Sequence, residues 1–217
     1  MKRVTLTRRD VVATCIANGV LAAGMSMSMS GKQVLAAWQG GEAKALNPMK
    51  PTANEELGPF YKKGAPNQAI LRNAGDAGFP LRVTGAVFNT RGERVPEARI
   101  DLWQTDAAGH YDLQGYRYRC NLIAGKSAAY RIETVMPGHY GLRPVQHIHY
   151  LVRAPGHKPL VTQAYFATDS FFAGDPAKNF NKGKMVDHRE LVRPVTLLTE
   201  GATTLAAITF DIVLERS

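Results

Sequence analysis

The sequence predicts an all-β protein, a single β-sandwich of mostly antiparallel strands with long loops and little helix. Three observations predict it. Six short stretches read as strands, with clear period-two alternation in Ala98–Trp103 and Leu205–Leu214; turn residues rich in Gly and Pro punctuate them; and no run of helical periodicity separates one from the next. Strands without intervening helices argue against a parallel α/β sheet and for two packed sheets.

The first 37 residues are set apart. Lys2, Arg3, Arg8 and Arg9 precede a modestly apolar stretch from Val11 to Ala23 that is too short to cross a bilayer. The pair within Thr7-Arg8-Arg9-Asp10-Val11-Val12 resembles a twin-arginine export signal, with small residues for cleavage near Ala36 or Ala37. The expectation is a signal over 1–37, recognised by the twin-arginine export machinery, and a periplasmic or secreted product with no stable membrane insertion once the signal is removed. That route carries folded proteins and so suits one that takes up a cofactor before leaving the cytoplasm. Residues 38–57, with Gly40-Gly41, Pro48, Pro51 and no period, read as a loose N-terminal arm, and 58–217 as the sandwich domain.

Within that domain Leu81 to Phe88 is the first strand, followed by the turn chemistry of Asn89-Thr90-Arg91-Gly92. Ala98 to Trp103 sets Ala98, Ile100 and Leu102 against Arg99, Asp101 and Trp103. Further strands fall at Tyr130 to Val135, Gln146 to Arg153, Leu160 to Phe166 and Leu205 to Leu214. The last puts Ala206, Ile208, Phe210, Ile212 and Leu214 on one face. Only Asp175-Pro176-Ala177-Lys178 reads as a helix start. About 180 mature residues bury roughly 70% of their unfolded surface, enough for a core without covalent staples.

Composition excludes several classes. The net charge of +9 is dispersed, with no basic run interleaved with aromatics as nucleic-acid binding requires, and removing 1–37 leaves 22 basic against 17 acidic residues. Of two cysteines, Cys15 lies in the signal, so Cys120 has no partner for a disulfide. Gly125-Lys126-Ser127 fails as a phosphate loop because Cys120 stands where its first glycine is needed. Tyr116-Arg117-Tyr118-Arg119 reads as a loop rim over a pocket.

His147-Ile148-His149 is the sharpest chemical feature. A strand sends i and i+2 to one face, so the two imidazoles stand side by side and can chelate one metal while Ile148 and Tyr150 turn the other way. The usual companions of such a pair, carboxylates for ferrous iron or Cys and a third His for zinc or copper, are missing from that strand. The nearby anionic candidates are Tyr140 in Pro137-Gly138-His139-Tyr140 and Tyr111 in Gly109-His110-Tyr111; each singly also suits an amphipathic packing role.

Together these segments resemble the intradiol ring-cleavage dioxygenases, the family of protocatechuate 3,4-dioxygenase and catechol 1,2-dioxygenase. The likeness runs from Gly58-Pro59-Phe60-Tyr61 through Val95–Gln104, Gly109-His110-Tyr111, Thr134–Tyr140 and His147-Ile148-His149 to Thr162-Gln163-Ala164-Tyr165-Phe166 and Phe210–Leu214. The resemblance implies a non-haem Fe(III) cofactor bound by Tyr111, Tyr140, His147 and His149, with Tyr140 and His147 axial. It implies a small aromatic diol and dioxygen as substrates, and a cis,cis-muconate-type diacid as product. Tyr140 would accept a substrate proton, Arg143 would stabilise negative charge on the ring and Gln163 would face the same pocket. In the family one residue separates the Arg-Pro pair from the first His, whereas here Val145 and Gln146 both intervene, so Arg143 is expected displaced or replaced by a bulged backbone. The resemblance leaves room for a homo-oligomer. Two other readings stay open: copper or zinc on His147 and His149, and a transthyretin-like binding module without metal. The placement of Tyr111 and Tyr140 relative to the histidines discriminates among them.

Overall fold

Ten strands build two five-stranded sheets in the computed structural model, which describes residues 47–141, 143–172 and 186–217. They are β1 (Pro80–Asn89), β2 (Arg99–Trp103), β3 (Arg119–Ile123), β4 (Ala129–Val135), β5 (His147–Arg153), β6 (Leu160–Phe166), β7 (Val192–Arg193), β8 (Thr196–Glu200), β9 (Thr203–Thr209) and β10 (Ile212–Leu214). One sheet is centred on β1, which pairs antiparallel with β4 and parallel with β9 and β10; β8 pairs with β9 outside them. The other has the order β3-β2-β5-β6-β7, antiparallel except for β6 with β7. Both sheets are therefore mixed.

The alternation read from the sequence fills the space between the sheets. Leu81, Val83 and Val87 of β1, Ile132 of β4 and Ile208 and Ile212 of the last strands meet Ile100 and Leu102 of β2 and Ile148, Tyr150 and Val152 of β5, all almost wholly buried. Burying each such side chain contributes about 1.5–3 kcal/mol. Because β5 spends its even-numbered residues on this core, the period of two turns His147 and His149 to the opposite face of the same sheet.

Several expectations are refined. The strand expected from Gln146 begins at His147. The strand expected from Leu205 to Leu214 is two strands broken at Phe210-Asp211, yet the buried alternation continues through the break. At the break the Phe210 carbonyl presses on Gly85, where a Cβ would stand 2.1 Å from it. The Asp211 carboxylate accepts the Ala86 amide, and the Phe210 carbonyl accepts the Tyr130 hydroxyl at 2.5 Å, so the interruption leaves these polar groups paired. Strand β3 lies in a stretch read as loop, and β7 and β8 lie where no strand was expected; all five side chains of β8 are exposed, which removes the alternation that would mark it. The helix start expected at Asp175–Lys178 and the signal lie outside the described residues.

The arm from residue 47 to 57 is tied down rather than loose. Met49 donates to Thr90 O, Thr52 N to Val213 O and Glu55 N to Val161 O at 2.8 Å, while Thr162 Oγ1 donates to Ala53 O at 2.8 Å. These bonds attach aperiodic chain to both sheets through its backbone, and backbone bonding leaves no trace in a hydrophobicity pattern.

Candidate metal centre

The outward face of the second sheet collects the polar residues that register places together. His149 stands opposite Gln163 on β6 and Trp103 on β2, and His147 stands opposite Tyr165. Directly opposed residues of an antiparallel pair share a face, so His147, His149, Gln163, Tyr165 and Trp103 form one patch. Loops and the arm cover it, leaving each histidine 3% exposed.

Two loops bring the tyrosines over this patch, held by a pair of glycines. Gly138 N donates to Asp106 O at 2.7 Å and Thr105 Oγ1 to Gly138 O at 3.0 Å. A Cβ on Gly109 would lie 1.9 Å from His139 O, and one on Gly138 would lie 2.4 Å from Gly109 N. Gly109 also has φ +87°, the left-handed region that glycine enters without steric penalty. The two loops touch backbone to backbone, and the residues two positions beyond each glycine are Tyr111 and Tyr140. Their rings meet edge to face with centroids 5.6 Å apart.

Tyr111 Oη lies 3.4 Å from His147 Nε2, and His147 Nε2 lies 3.1 Å from His149 Nε2. The Tyr140 ring is 6.0 Å from that of His147. His147 Nδ1 is 2.6 Å from Val145 O; a carbonyl only accepts, so Nδ1 carries the hydrogen and Nε2 the lone pair. His149 is clamped by Trp103, stacked at 4.7 Å and 4° from coplanar, and its Nδ1 is buried without a hydrogen-bond partner. Phe60 stacks on Tyr111 at 4.4 Å and meets the Tyr140 ring edge-on.

Burial, reinforced by the charge of Arg143, pushes the His147 imidazolium down to about 4. Burial, then the charges of His147, Arg143 and Arg119, hold His149 well below the ordinary range. Both imidazoles are therefore neutral lone-pair donors at pH 7. Burial and the neighbouring Tyr140 push the Tyr111 phenol up, so a phenolate there needs a cation beside it. Among the described residues no three His, Cys, Asp or Glu side chains cluster as a metal site. The donor set here is two imidazoles and two phenols, a set that fits a hard, highly charged ion that turns phenol into phenolate.

Arg143 is present at the wall despite the extra residue before His147. Arg143 N closes a turn on Tyr140 O, Val145 is buried with its carbonyl on His147, and Gln146 is absorbed by bonds from its amide to Asp169 and from its side chain to Pro137 O. Gln163 is fully buried on the face that carries the histidines, donating to Glu56 O at 2.9 Å and accepting from Tyr165 at 3.2 Å. Arg119 is not on a loop rim: it is 2% exposed on β3, donates to Phe60 O and Asp112 O, and supports the Tyr111 ring from 5.8 Å. Tyr61 stays out of the centre, with its hydroxyl on Asp101 and its ring against Trp103. Sequence reading missed Glu55, Trp103 and Asp169 as parts of this wall; only Trp103 carried a signal, as the polar-side residue of an alternating strand. The two phenols lie beside the histidines rather than across the core, which favours neither the copper or zinc reading nor the metal-free module.

A family model described as Dioxygenase matches residues 57–216. Catechol 1,2-dioxygenase of Acinetobacter baylyi is 28% identical over 204 residues, covering 81% of this chain and 66% of that protein. Hydroxyquinol 1,2-dioxygenase of Nocardioides simplex is 30% identical over 188 residues, covering 73% and 62%. The chain thus spans about two thirds or less of the length of these relatives. Among solved structures, the dioxygenase domain of a dioxygenase–carbohydrate-binding fusion from Streptomyces sp. SirexAA-E aligns with a TM-score of 0.64 and 28% identity, over 77% of this chain and 100% of that one. Catechol 1,2-dioxygenase of Acinetobacter radioresistens shares the fold with a TM-score of 0.68 and 24% identity, over 86% and 69%. With its two phenols and two imidazoles gathered on one face of a mixed β-sandwich, the chain belongs to the intradiol dioxygenase family.

Proposed function

We propose that the protein cleaves a catechol-type ring between its two hydroxyl-bearing carbons with dioxygen, giving a cis,cis-muconate-type diacid. Tyr111, Tyr140, His147 and His149 would hold a non-haem ferric ion. When bound, that ion supplies the activation of the diol toward dioxygen. The observation that carries this reading is the approach of Tyr111 Oη to His147 Nε2 at 3.4 Å and of the two Nε2 atoms to 3.1 Å.

The chain's own residues divide the remaining work. His147 and His149 stay neutral, so two phenolates leave one positive charge of a trivalent ion uncancelled, which suits a diol binding as a dianion. Tyr140 Oη would accept one of the diol's two hydroxyl protons and a solvent hydroxide the other, while Tyr111, braced by Phe60 and Arg119, keeps its place. Arg143, its net charge offset by Glu55, sets guanidinium N–H donors where charge develops on the ring, and Gln163, fixed at both ends of its amide, lines the same wall. Phe60 and Trp103 exclude water, which strengthens each of these interactions.

The visible spectrum of iron-loaded protein tests the proposal. A phenolate-to-ferric charge-transfer band with catechol-dependent oxygen uptake is expected. Colourless protein holding stoichiometric iron overturns phenolate ligation, and the same colourless result with zinc or copper restoring activity would favour the other metals. Export by the twin-arginine route belongs to this proposal and rests on the Arg8-Arg9 segment.

A further inference from the structure

The N-terminal arm delivers a carboxylate to the wall of the metal centre. Backbone bonds on either side of Glu55, from Glu55 N to Val161 O, from Thr162 Oγ1 to Ala53 O and from Gln163 Nε2 to Glu56 O, fix it against β6. Its Oε2 lies 3.3 Å from Arg143 Nη2 and 3.2 Å from the Tyr165 hydroxyl, which itself accepts from Arg143 at 2.9 Å. The Glu55 and Arg143 side chains retain only 8% and 17% of their exposure, and Glu55 Oε1 is buried with no hydrogen-bond partner.

That arrangement has a physical cost. Burial pushes the Glu55 carboxyl up, and Arg143 and Tyr165 offset the push only in part. A neutral amide of the same shape could hold Arg143 and Tyr165 without taking an ion out of water, so what the carboxylate adds is its charge. Arg143 is the cation whose field reaches both imidazoles, and Glu55 stands directly against it. The other nearby cation, Arg119, keeps its charge, but its guanidinium donates to the carbonyls of Phe60 and Asp112 and lies over the Tyr111 ring, away from Tyr165. Beside Tyr165 and Gln163 the wall therefore presents a cation paired with a carboxylate rather than a free one.

We propose that Glu55 is a specificity-determining residue: by cancelling the charge of Arg143 beside the metal centre it makes the site take diols without a ring carboxylate and reject those that carry one. This rests on the ring-cleavage reading above. A ring carboxylate entering here would shed water, meet a neutral pair in place of a cation, and face the buried Glu55 oxygen, a discrimination on the order of tenfold or more.

The test compares wild type, Glu55→Gln and Glu55→Asp as iron-loaded full chains. Two ratios are measured: kcat/KM for 3,4-dihydroxybenzoate over catechol, and calorimetric affinity for 4-hydroxybenzoate over phenol, which need no turnover. Glu55→Gln is expected to raise both ratios about tenfold, chiefly through KM, while Glu55→Asp, which keeps the charge, stays near wild type. Unchanged ratios in Glu55→Gln overturn the proposal, as does a wild type that binds 4-hydroxybenzoate as tightly as phenol, a result readable even if the Gln variant does not fold. Should wild type turn over no diol, the monophenol ratio still decides the role of Glu55, and it is the ring-cleavage reading that falls.

Discussion

Gly109 and Gly138 give the sharpest test of how the centre is assembled, because three glycines separate two kinds of cost. Gly75 has φ +88° and nothing within 4 Å of where an added Cβ would stand, so Gly75→Ala meets only the left-handed backbone penalty of about 1 kcal/mol. Gly138→Ala meets the reverse condition: no positive φ, but a Cβ 2.4 Å from Gly109 N and 2.5 Å from Ala107 O, an overpacking cost of about 2 kcal/mol. Gly109→Ala combines φ +87° with a 1.9 Å contact to His139 O and is expected to lose about 3 kcal/mol, or roughly 6–12 °C in a domain of this size. Relieving that overlap parts the two loops by on the order of 1 Å, and a displacement of that size near reacting groups costs about 100-fold in rate. Thermal unfolding of the three variants, with the charge-transfer band and oxygen uptake measured on the same iron-loaded samples, reads both effects. If Gly138→Ala matches Gly75→Ala in melting temperature and keeps the wild-type band, the backbone contact does not position the tyrosines and the account of the centre is wrong.

Other outcomes follow from single groups. Tyr111→Phe removes an oxygen 3.4 Å from His147 Nε2 and is expected to shift or abolish the charge-transfer band, while Tyr150→Phe, on the core face of β5, leaves it within a few nanometres; equal spectra in the two variants would remove Tyr111 as a ligand. Cys120 is fully buried, and burial pushes its thiol up to about 12, so alkylation at pH 8 mapped by mass spectrometry should leave Cys120 unmodified until the protein is unfolded. The Asp76 carboxyl is held below its ordinary range by the Asn73 amide, then by the Tyr118 hydroxyl and Arg117. Its contribution is present above an unfolded value of about 3.9 and is lost as pH falls through the lower folded value, so Asp76→Asn should flatten the acid limb of a urea-unfolding series below pH 4. An acid limb identical to wild type would refute that linkage.

How far the sequence anticipated the structure depended on periodicity. Leu160–Phe166 is found at the bounds read from its residues, and Leu81–Phe88 within one residue at each end, because one face of each strand packs the core. The His-x-His pair was legible for the same reason: Ile148 and Tyr150 fix the face that remains. Strand β8 was not, since all its side chains are exposed, and β3 was hidden because Arg119 is buried against pattern by bonds to Phe60 O and Asp112 O. The contribution of Glu55 was illegible because main-chain bonds to Val161 and Thr162 place it, and such bonds can be made by almost any residue. Gly109 and Gly138 belonged to motifs, but that they abut one another is a three-dimensional fact.

The near-parallel stack of Trp103 on His149 has a practical corollary. Trp38 is the chain's other tryptophan, so a Trp38→Phe background isolates one indole in van der Waals contact with a proposed ligand. Excitation energy on that indole would drain into any coloured centre forming beyond the imidazole, and the emission would dim in step with loading. The protein would thus carry its own optical gauge of cofactor uptake, readable during folding and before any catalysis begins.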